Sequence, residues 1–309
     1  MPIEHASIRV VHKPWGASDL RPLSNIDATS DAVGELWFER ADNKAPGPAL
    51  LLKLLFTNQP LSIQVHPDDT FARAMGMPNG KSEAWYIISA KPGAQIGVGL
   101  KHRVTPQELR ASIRNGSIVD LVQWRPVAKG DVVFVPAGTI HALGAGIVLA
   151  EIQQRSDATF RLFDYGRGRE LHEDNGVAAA DAGPLQPVGG ANRLTRERMV
   201  LVASQHFVLE KVELQAGSSW ALLAEPETWI LVLDGHAAIG LTAVSVGEAI
   251  FASGGRSSIE VGVNGLTALV AYPAATPVAS LLQSLGEPPA GPIPRTAVAE
   301  LISLLEVRT

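Results

Sequence analysis

Leu61-Ser62-Ile63-Gln64-Val65-His66-Pro67-Asp68-Asp69 is the stretch on which the reading of the fold turns. In an extended strand successive side chains alternate faces, so Ser62, Gln64 and His66 point one way and Leu61, Ile63 and Val65 the other. A strand of a closed sheet normally turns its apolar face to the core. Here the polar face carries a carboxamide and an imidazole about 7 Å apart along the backbone, by the strand rise. That spacing lets both reach one small cation or ligand inside a barrel. A half-exposed strand with Ser62, Gln64 and His66 facing water fits the same residues, so the rest of the chain has to decide.

At 309 residues the chain holds one large domain or two of ordinary size, with ample core in either case. A hydrophobic fraction of 46% beside 18% charged residues indicates a soluble globular protein. The net charge of −5 and pI of about 5.9 exclude the overall basic field on which nucleic-acid binding depends. Local positive charge would serve a small anion instead. The start, Met1-Pro2-Ile3-Glu4-His5, has no basic or apolar leader character, and no apolar run approaches the ~18 residues of a membrane span, so a cytoplasmic address is expected. The absence of cysteine excludes disulfides, thiolate metal sites and a cysteine nucleophile; any metal must be held by nitrogen and oxygen.

Strand-like runs at Ile8–Val11 and Gly34–Phe38 precede Ala49–Phe56, an apolar run with Lys53 inside it. Burying an unpaired ammonium is costly, so Lys53 either snorkels to the surface or faces a polar cavity that holds an anion. Asp69 to Met77 reads as a short helix. Lys81–Ile88 reads as a strand with Glu83, Trp85 and Ile87 on one face. Thr105-Pro106-Gln107-Glu108 carries helix-start residues, and Leu109, Ile113, Ile118, Leu121 and Val122 predict one or two short helices ending near Pro126. Gly130-Asp131 turns the chain into a strand that Pro136 and Gly138 break, delivering His141 just past the bend. In Ile147–Gln154, Glu151 and Gln153 share a face. Residues 177 to 195 read as a linker. A second set of strands follows, from Phe207 to Tyr272, in which Gly247-Glu248 leads to no histidine and His236 reads as structural; no metal is expected there. The tail segments 278 to 285 and 296 to 307 have helical spacing and are expected to pack on a barrel.

Gln64, His66, Glu83 and His141 form a mixed nitrogen and oxygen set on separate strands, suited to zinc with a position open to water or substrate. Lys53, Lys81 and Arg161 nearby in pattern suit a phosphorylated substrate. The segments 61–69, 80–86, 135–143 and 151–165, with Lys13-Pro14-Trp15-Gly16 before them, resemble the type I mannose-6-phosphate isomerases in their short bacterial form, metal enzymes of the cupin superfamily. The resemblance spans residues from about 10 to 167. It implies a mainly β chain of two jelly-roll barrels: residues 1–190 as the catalytic cupin domain with a helical insertion near 105–125, and 191–309 as a degenerate cupin domain with a helical tail. It implies one Zn2+ per chain on Gln64, His66, Glu83 and His141. Arg161 becomes an active-site residue, Ser62 and Lys53 lie close to the substrate, and Lys81 and Glu151 line the pocket. Leu143 departs from the pattern, standing where longer members have a tyrosine, and their large helical domain is reduced here to the 105–125 insertion.

Interconverting mannose 6-phosphate and fructose 6-phosphate moves a proton between C2 and C1 without net redox, so a redox-silent Lewis acid that stabilises an enediolate suffices. Glu151, Lys81 and Asp157 are the candidates for the general base, with Asp157 otherwise a substrate contact. Arg161, always cationic, fits enediolate stabilisation or phosphate anchoring. Arg167 and Arg169 read as solvated loop residues, with Arg167 also able to meet the phosphate. A metal-dependent cupin oxygenase and a non-enzymatic sugar-phosphate-binding bicupin are the alternatives. The first is disfavoured by Gln64 where redox cupins present a histidine, the second by the intact ligand and arginine set. The sequence leaves the oligomeric state open.

Overall fold

The computed structural model describes residues 3–28, 30–42, 44–186 and 190–286. The run around Lys53 shows how the sheets are layered. Leu50–Thr57 is buried along its whole length. Its alternate residues Leu50, Leu52, Leu54 and Phe56 join one core, while Leu55 belongs to another on the opposite face. The continuous apolar run is thus a strand buried on both sides rather than a half-exposed one.

That strand lies within a six-stranded antiparallel sheet ordered Ser7–Ala17, Val33–Glu39, Leu50–Thr57, Ile147–Gln154, Glu83–Ala90 and Val132–Val135. A five-stranded sheet, ordered Phe160–Phe163, Ile63–Val65, His141–Leu143, Gln95–Leu100 and Val122–Pro126, supplies the other wall. The outer side of Ile63 and Val65 is covered by the helices Pro106–Asn115 and Ile118–Leu121 through Leu109, Ile113 and Ile118. The first of these begins as its sequence requires. Thr105 Oγ1 accepts from the Glu108 backbone N–H at 3.2 Å, and Glu108 accepts in return from the Thr105 N–H at 2.7 Å.

The second half forms one ten-stranded antiparallel sheet from Asn192 to Ser284, whose edge strand Ile3–His5 comes from the start of the chain and pairs with Ala249–Ala252. Leu209, Trp229, Phe251 and Leu269 of this sheet pack against Leu36, Leu52, Leu54 and Ile152 of the first half. Gly247 seals the junction: its φ is +82°, and a Cβ there would lie 1.8 Å from the Leu23 carbonyl oxygen. The interior is filled by Val212, Leu222, Val232, Ile250 and Val270. His236 packs over Gly262, where a Cβ would fall 2.1 Å from its ring.

One ion pair is sunk in this apolar interior. Arg198, 1% exposed, donates to both oxygens of Glu210 at 2.8 Å and to the carbonyls of Val278 and Ala279. Tyr272 also donates to Glu210. The pair therefore ties the end of the described chain to the sheet. Removing one partner of such a pair strands the other, so Glu210→Gln is expected to lower stability by about 3 kcal/mol. Replacing both Arg198 and Glu210 by apolar residues should cost less, which urea unfolding of the single and double variants checks.

Several sequence expectations are corrected here. Val122–Pro126 is a strand, not a helix end, because Val122 pairs with Leu100 and Trp124 with Gly97. A further helix, Glu173–Ala179, runs into the stretch read as a linker, and residues 182 and 183 bond back to Val104 and Leu100. The segment 278–285 is a short 3-10 turn followed by the strand Leu282–Ser284, which finds partners in Trp220–Leu222. The tail helix expected over 296–307 lies outside the described residues.

Candidate metal centre and cavity

Backbone hydrogen bonds converge the motif segments before any side chain is considered. The Gly138 N–H donates to the His66 carbonyl at 2.8 Å, and the Lys81 N–H to the Pro67 carbonyl at 3.0 Å. The Ala137 N–H donates to Ser82 Oγ at 3.1 Å. Gly138 makes the turn at φ +87°, a conformation costly for a residue with a side chain, and the strand His141–Leu143 starts just after it. His141 then stands opposite Gln64, and Gln64 opposite Arg161.

His66, Glu83 and His141 present ligand atoms within 4.8 Å of one another, and each is 1% exposed. His66 Nδ1–H donates to the Ala158 carbonyl and His141 Nδ1–H to the Thr139 carbonyl, both at 2.8 Å. These bonds fix the tautomer and leave both Nε2 lone pairs directed inward. Burial and the Lys81 ammonium hold the His66 imidazole down to about 3, and burial also lowers His141, so both rings are neutral ligands at pH 7. Burial would raise the Glu83 carboxyl, but the Lys81 ammonium outweighs it and holds it well below the usual range. Glu83 Oε2 is buried without a well-directed hydrogen bond, 3.1 Å from Lys81 Nζ and 3.3 Å from His66 Nε2. Two imidazole lone pairs and an ionised, underused carboxylate are the donor set of a divalent-metal site, and the residues fit such an ion. Gln64 Nε2 donates to His141 Nε2 at 3.2 Å; a half-turn of the amide would offer its oxygen instead.

The triad lies beside a cavity of about 420 Å³, within the range of small-molecule sites. All of the other site residues read from the sequence line it: Lys53, Ser62, Gln64, Lys81, Glu151, Asp157 and Arg161. Lys53 does not snorkel. It is 4% exposed, 3.1 Å from Glu151 and 3.7 Å from Glu35, and lies over the Trp37 ring. Trp85 Nε1 bridges Glu83 at 3.1 Å and Glu151 at 3.2 Å. Burial and the neighbouring Glu83 charge push the Glu151 carboxyl up. Burial works against the Lys81 ammonium, yet Glu83 and Glu151 raise it overall. Asp157 is exposed at the rim.

Leu61 departs from the simple alternation. It lines the cavity with the polar residues, because regular pairing begins only at Ile63. Arg167 and Arg169 are likewise half-buried and paired rather than free in solvent. Buried Asp164 pairs with both, Arg167 also donates to the Pro60 carbonyl at 2.8 Å, and Arg169 reaches the cavity. Glu35, Trp37, Lys13 and Arg9 also line it and were not singled out. The like parity of Arg9 and Lys13 in one strand, and of Glu35 and Trp37 in the next, was the available signal.

No protein-family model matches the sequence. The chain is 32% identical over 265 residues to a mannose-6-phosphate isomerase of Streptococcus mutans, covering 74% of this chain and 83% of that protein. It is 43% identical over 130 residues to the mannose-6-phosphate isomerase ManA of Bacillus subtilis, covering 40% of this chain and 41% of that one. Among solved structures, a Bacillus subtilis mannose 6-phosphate isomerase aligns with a TM-score of 0.77 at 25% identity, covering 88% of this chain and 100% of that one. A phosphomannose isomerase mutant from Salmonella typhimurium shares the fold at a TM-score of 0.72 and 14% identity, covering 88% and 99%. With that similarity along most of a relative's length and the motif segments gathered at one cavity, the chain belongs to the mannose-6-phosphate isomerase family.

Proposed function

We propose that this chain is a zinc-dependent aldose–ketose isomerase that interconverts mannose 6-phosphate and fructose 6-phosphate through an enediolate. The observation that carries the reading is the convergence of two neutral imidazole lone pairs and the ionised Glu83 beside a cavity lined by lysine and arginine. His66, Glu83 and His141, with the Gln64 amide oxygen once the amide is turned, would hold one Zn2+ per chain. Zinc bound there would supply a redox-silent Lewis acid for the reaction.

The remaining work belongs to side chains. Glu151 takes the proton from C2 and returns it to C1: it is buried, burial and the Glu83 charge push its carboxyl up, and Lys53 and Trp85 hold it in place. Lys81, kept protonated by Glu83 and Glu151, is a poor base and a good hydrogen-bond donor to developing oxyanion charge. Asp157 at the rim and Ser62 beside Gln64 contact the sugar. Arg161 stays cationic at the wall, with Nε buried and unpartnered, and supplies charge to the enediolate or the phosphate. Residues 1–190 form the catalytic unit. Residues 191–309 are taken as the degenerate cupin domain, whose described part, 191–286, borrows the strand Ile3–His5. The reading takes the enzyme as cytoplasmic, in keeping with a chain without cysteine.

The test is turnover. Purified protein should convert mannose 6-phosphate to fructose 6-phosphate, lose that activity to a chelator, and regain it with zinc. Binding of the sugar phosphate without conversion would sink the isomerase reading, and chelator-insensitive conversion would sink the metal.

A further inference from the structure

Across the six-stranded sheet, charge alternates strand by strand along the cavity wall. Lys13 comes from the first strand, Glu35 from the second, Lys53 from the third and Glu151 from the fourth. Glu35 Oε1 is 3.6 Å from Lys13 Nζ and its Oε2 is 3.7 Å from Lys53 Nζ. Trp37 Nε1 donates to Glu35 Oε2 at 2.7 Å, fixing the carboxylate on the wall. Two carboxylates, Glu35 and Glu151, therefore answer the two ammonium groups, and Arg9 on the first strand pairs with Glu39 at 3.1 Å, so this side of the cavity has no excess charge. Burial would raise the Glu35 carboxyl, but Lys53 and Lys13 outweigh it and keep it ionised.

The opposite wall is different. Arg161, Arg167 and Arg169 cluster about the buried carboxylate of Asp164, which pairs with the last two, while Asp157 stands exposed at the rim. Arg161 donates only to a backbone carbonyl, that of Glu170 at 2.7 Å, and its Nε is buried without a partner. Uncancelled positive charge in the cavity is concentrated on this arginine side.

We infer that Glu35 is a specificity-determining residue: by cancelling Lys13 and Lys53 it denies the phosphate group a second landing site, so that a phosphosugar enters with one end only towards the metal centre. A phosphate at the lysine wall would hold the sugar in a competing, unproductive pose, and an ionised carboxylate between the lysines is the repulsive element against it. The inference rests on the phosphosugar reading of the cavity.

Titration of the metal-loaded protein with inorganic phosphate, followed by calorimetry at low ionic strength, tests it without requiring turnover. Wild type should bind phosphate at one site. Glu35→Gln keeps the size and an acceptor for Trp37, and should gain a second site at least about tenfold tighter than any second binding to wild type, the effect of one charge-assisted contact. In turnover assays the same variant should show inhibition at high mannose 6-phosphate that wild type lacks. Adding Lys13→Met to Glu35→Gln should remove the second site. A Glu35→Gln titration indistinguishable from wild type overturns the inference. Should that variant not fold, Lys13→Met alone decides. Lys13 is a third exposed and already cancelled, so phosphate affinity should change less than about twofold, whereas a weakening beyond about fivefold overturns the inference. If wild type binds phosphate but converts no mannose 6-phosphate, the isomerase reading falls, and the role of Glu35 is still judged by the titrations.

Discussion

His141→Ala is expected to abolish bound zinc and turnover together, lowering kcat/KM by at least about a thousandfold, since a Lewis acid contributes several kcal/mol to such a reaction. The reasoning is geometric. His141 is 1% exposed, its Nδ1–H is committed to the Thr139 carbonyl, and its Nε2 lies 3.5 Å from Glu83 Oε1. Alanine removes one of two imidazole lone pairs and leaves no side-chain donor at that position. Metal analysis after dialysis gives the content. Thermal unfolding with and without added zinc gives an independent reading, because an ion that binds only the folded state raises the apparent stability of wild type and not of the variant. A variant retaining one zinc per chain would remove His141 from the ligand set.

How much of this was legible in the chain depended on how local the cause was. The His66, Glu83 and His141 segments carried their own instructions: a short strand, a strand start and a Gly138 turn, each with its polar residue at a defined position. The helix Pro106–Asn115 was equally explicit, since Thr105 and Glu108 form a cap within one turn. Glu35 and Trp37 were harder to see because Val33–Glu39 is buried on both faces, with Leu36 and Phe38 in the core between the sheets. Without polar and apolar alternation, parity alone does not say which face meets a cavity. The tail segment 278–285 was misread for a related reason. Short apolar runs fit either period, and pairing with Trp220–Leu222, a contact some sixty residues away, decided it. The arginines at 167 and 169 looked solvated because the contacts that order their glycine-rich loop, Asp164 and the Pro60 carbonyl among them, are not visible in its local sequence.

Glu151→Gln should separate chemistry from architecture. The amide keeps the size of the carboxylate and can still accept from Trp85 Nε1, so zinc content is expected to match wild type while kcat falls about 10²- to 10⁴-fold, the usual contribution of a general base. In wild type, burial and the Glu83 charge raise the Glu151 carboxyl above the ordinary 4.5. The base must be ionised, so kcat/KM should fall as pH drops through that raised value, and the residual activity of the variant should lack this limb. The stability sign runs the other way from activity. A carboxyl whose folded pKa exceeds its unfolded one favours the folded state fully below the unfolded value, and that contribution is lost as pH rises through the folded value. Above that raised value the ionised Glu151 is thus a cost to the fold. The glutamine variant should unfold in urea at the wild-type midpoint or above it, with Lys53 still paired to Glu35. Asp157→Asn, at an exposed rim position, should reduce kcat by less than about tenfold, as expected of a contact rather than a base. Near-normal turnover in Glu151→Gln together with a large loss in Asp157→Asn would transfer the base to Asp157. A drop in urea midpoint matching the loss of activity would make Glu151 a structural residue.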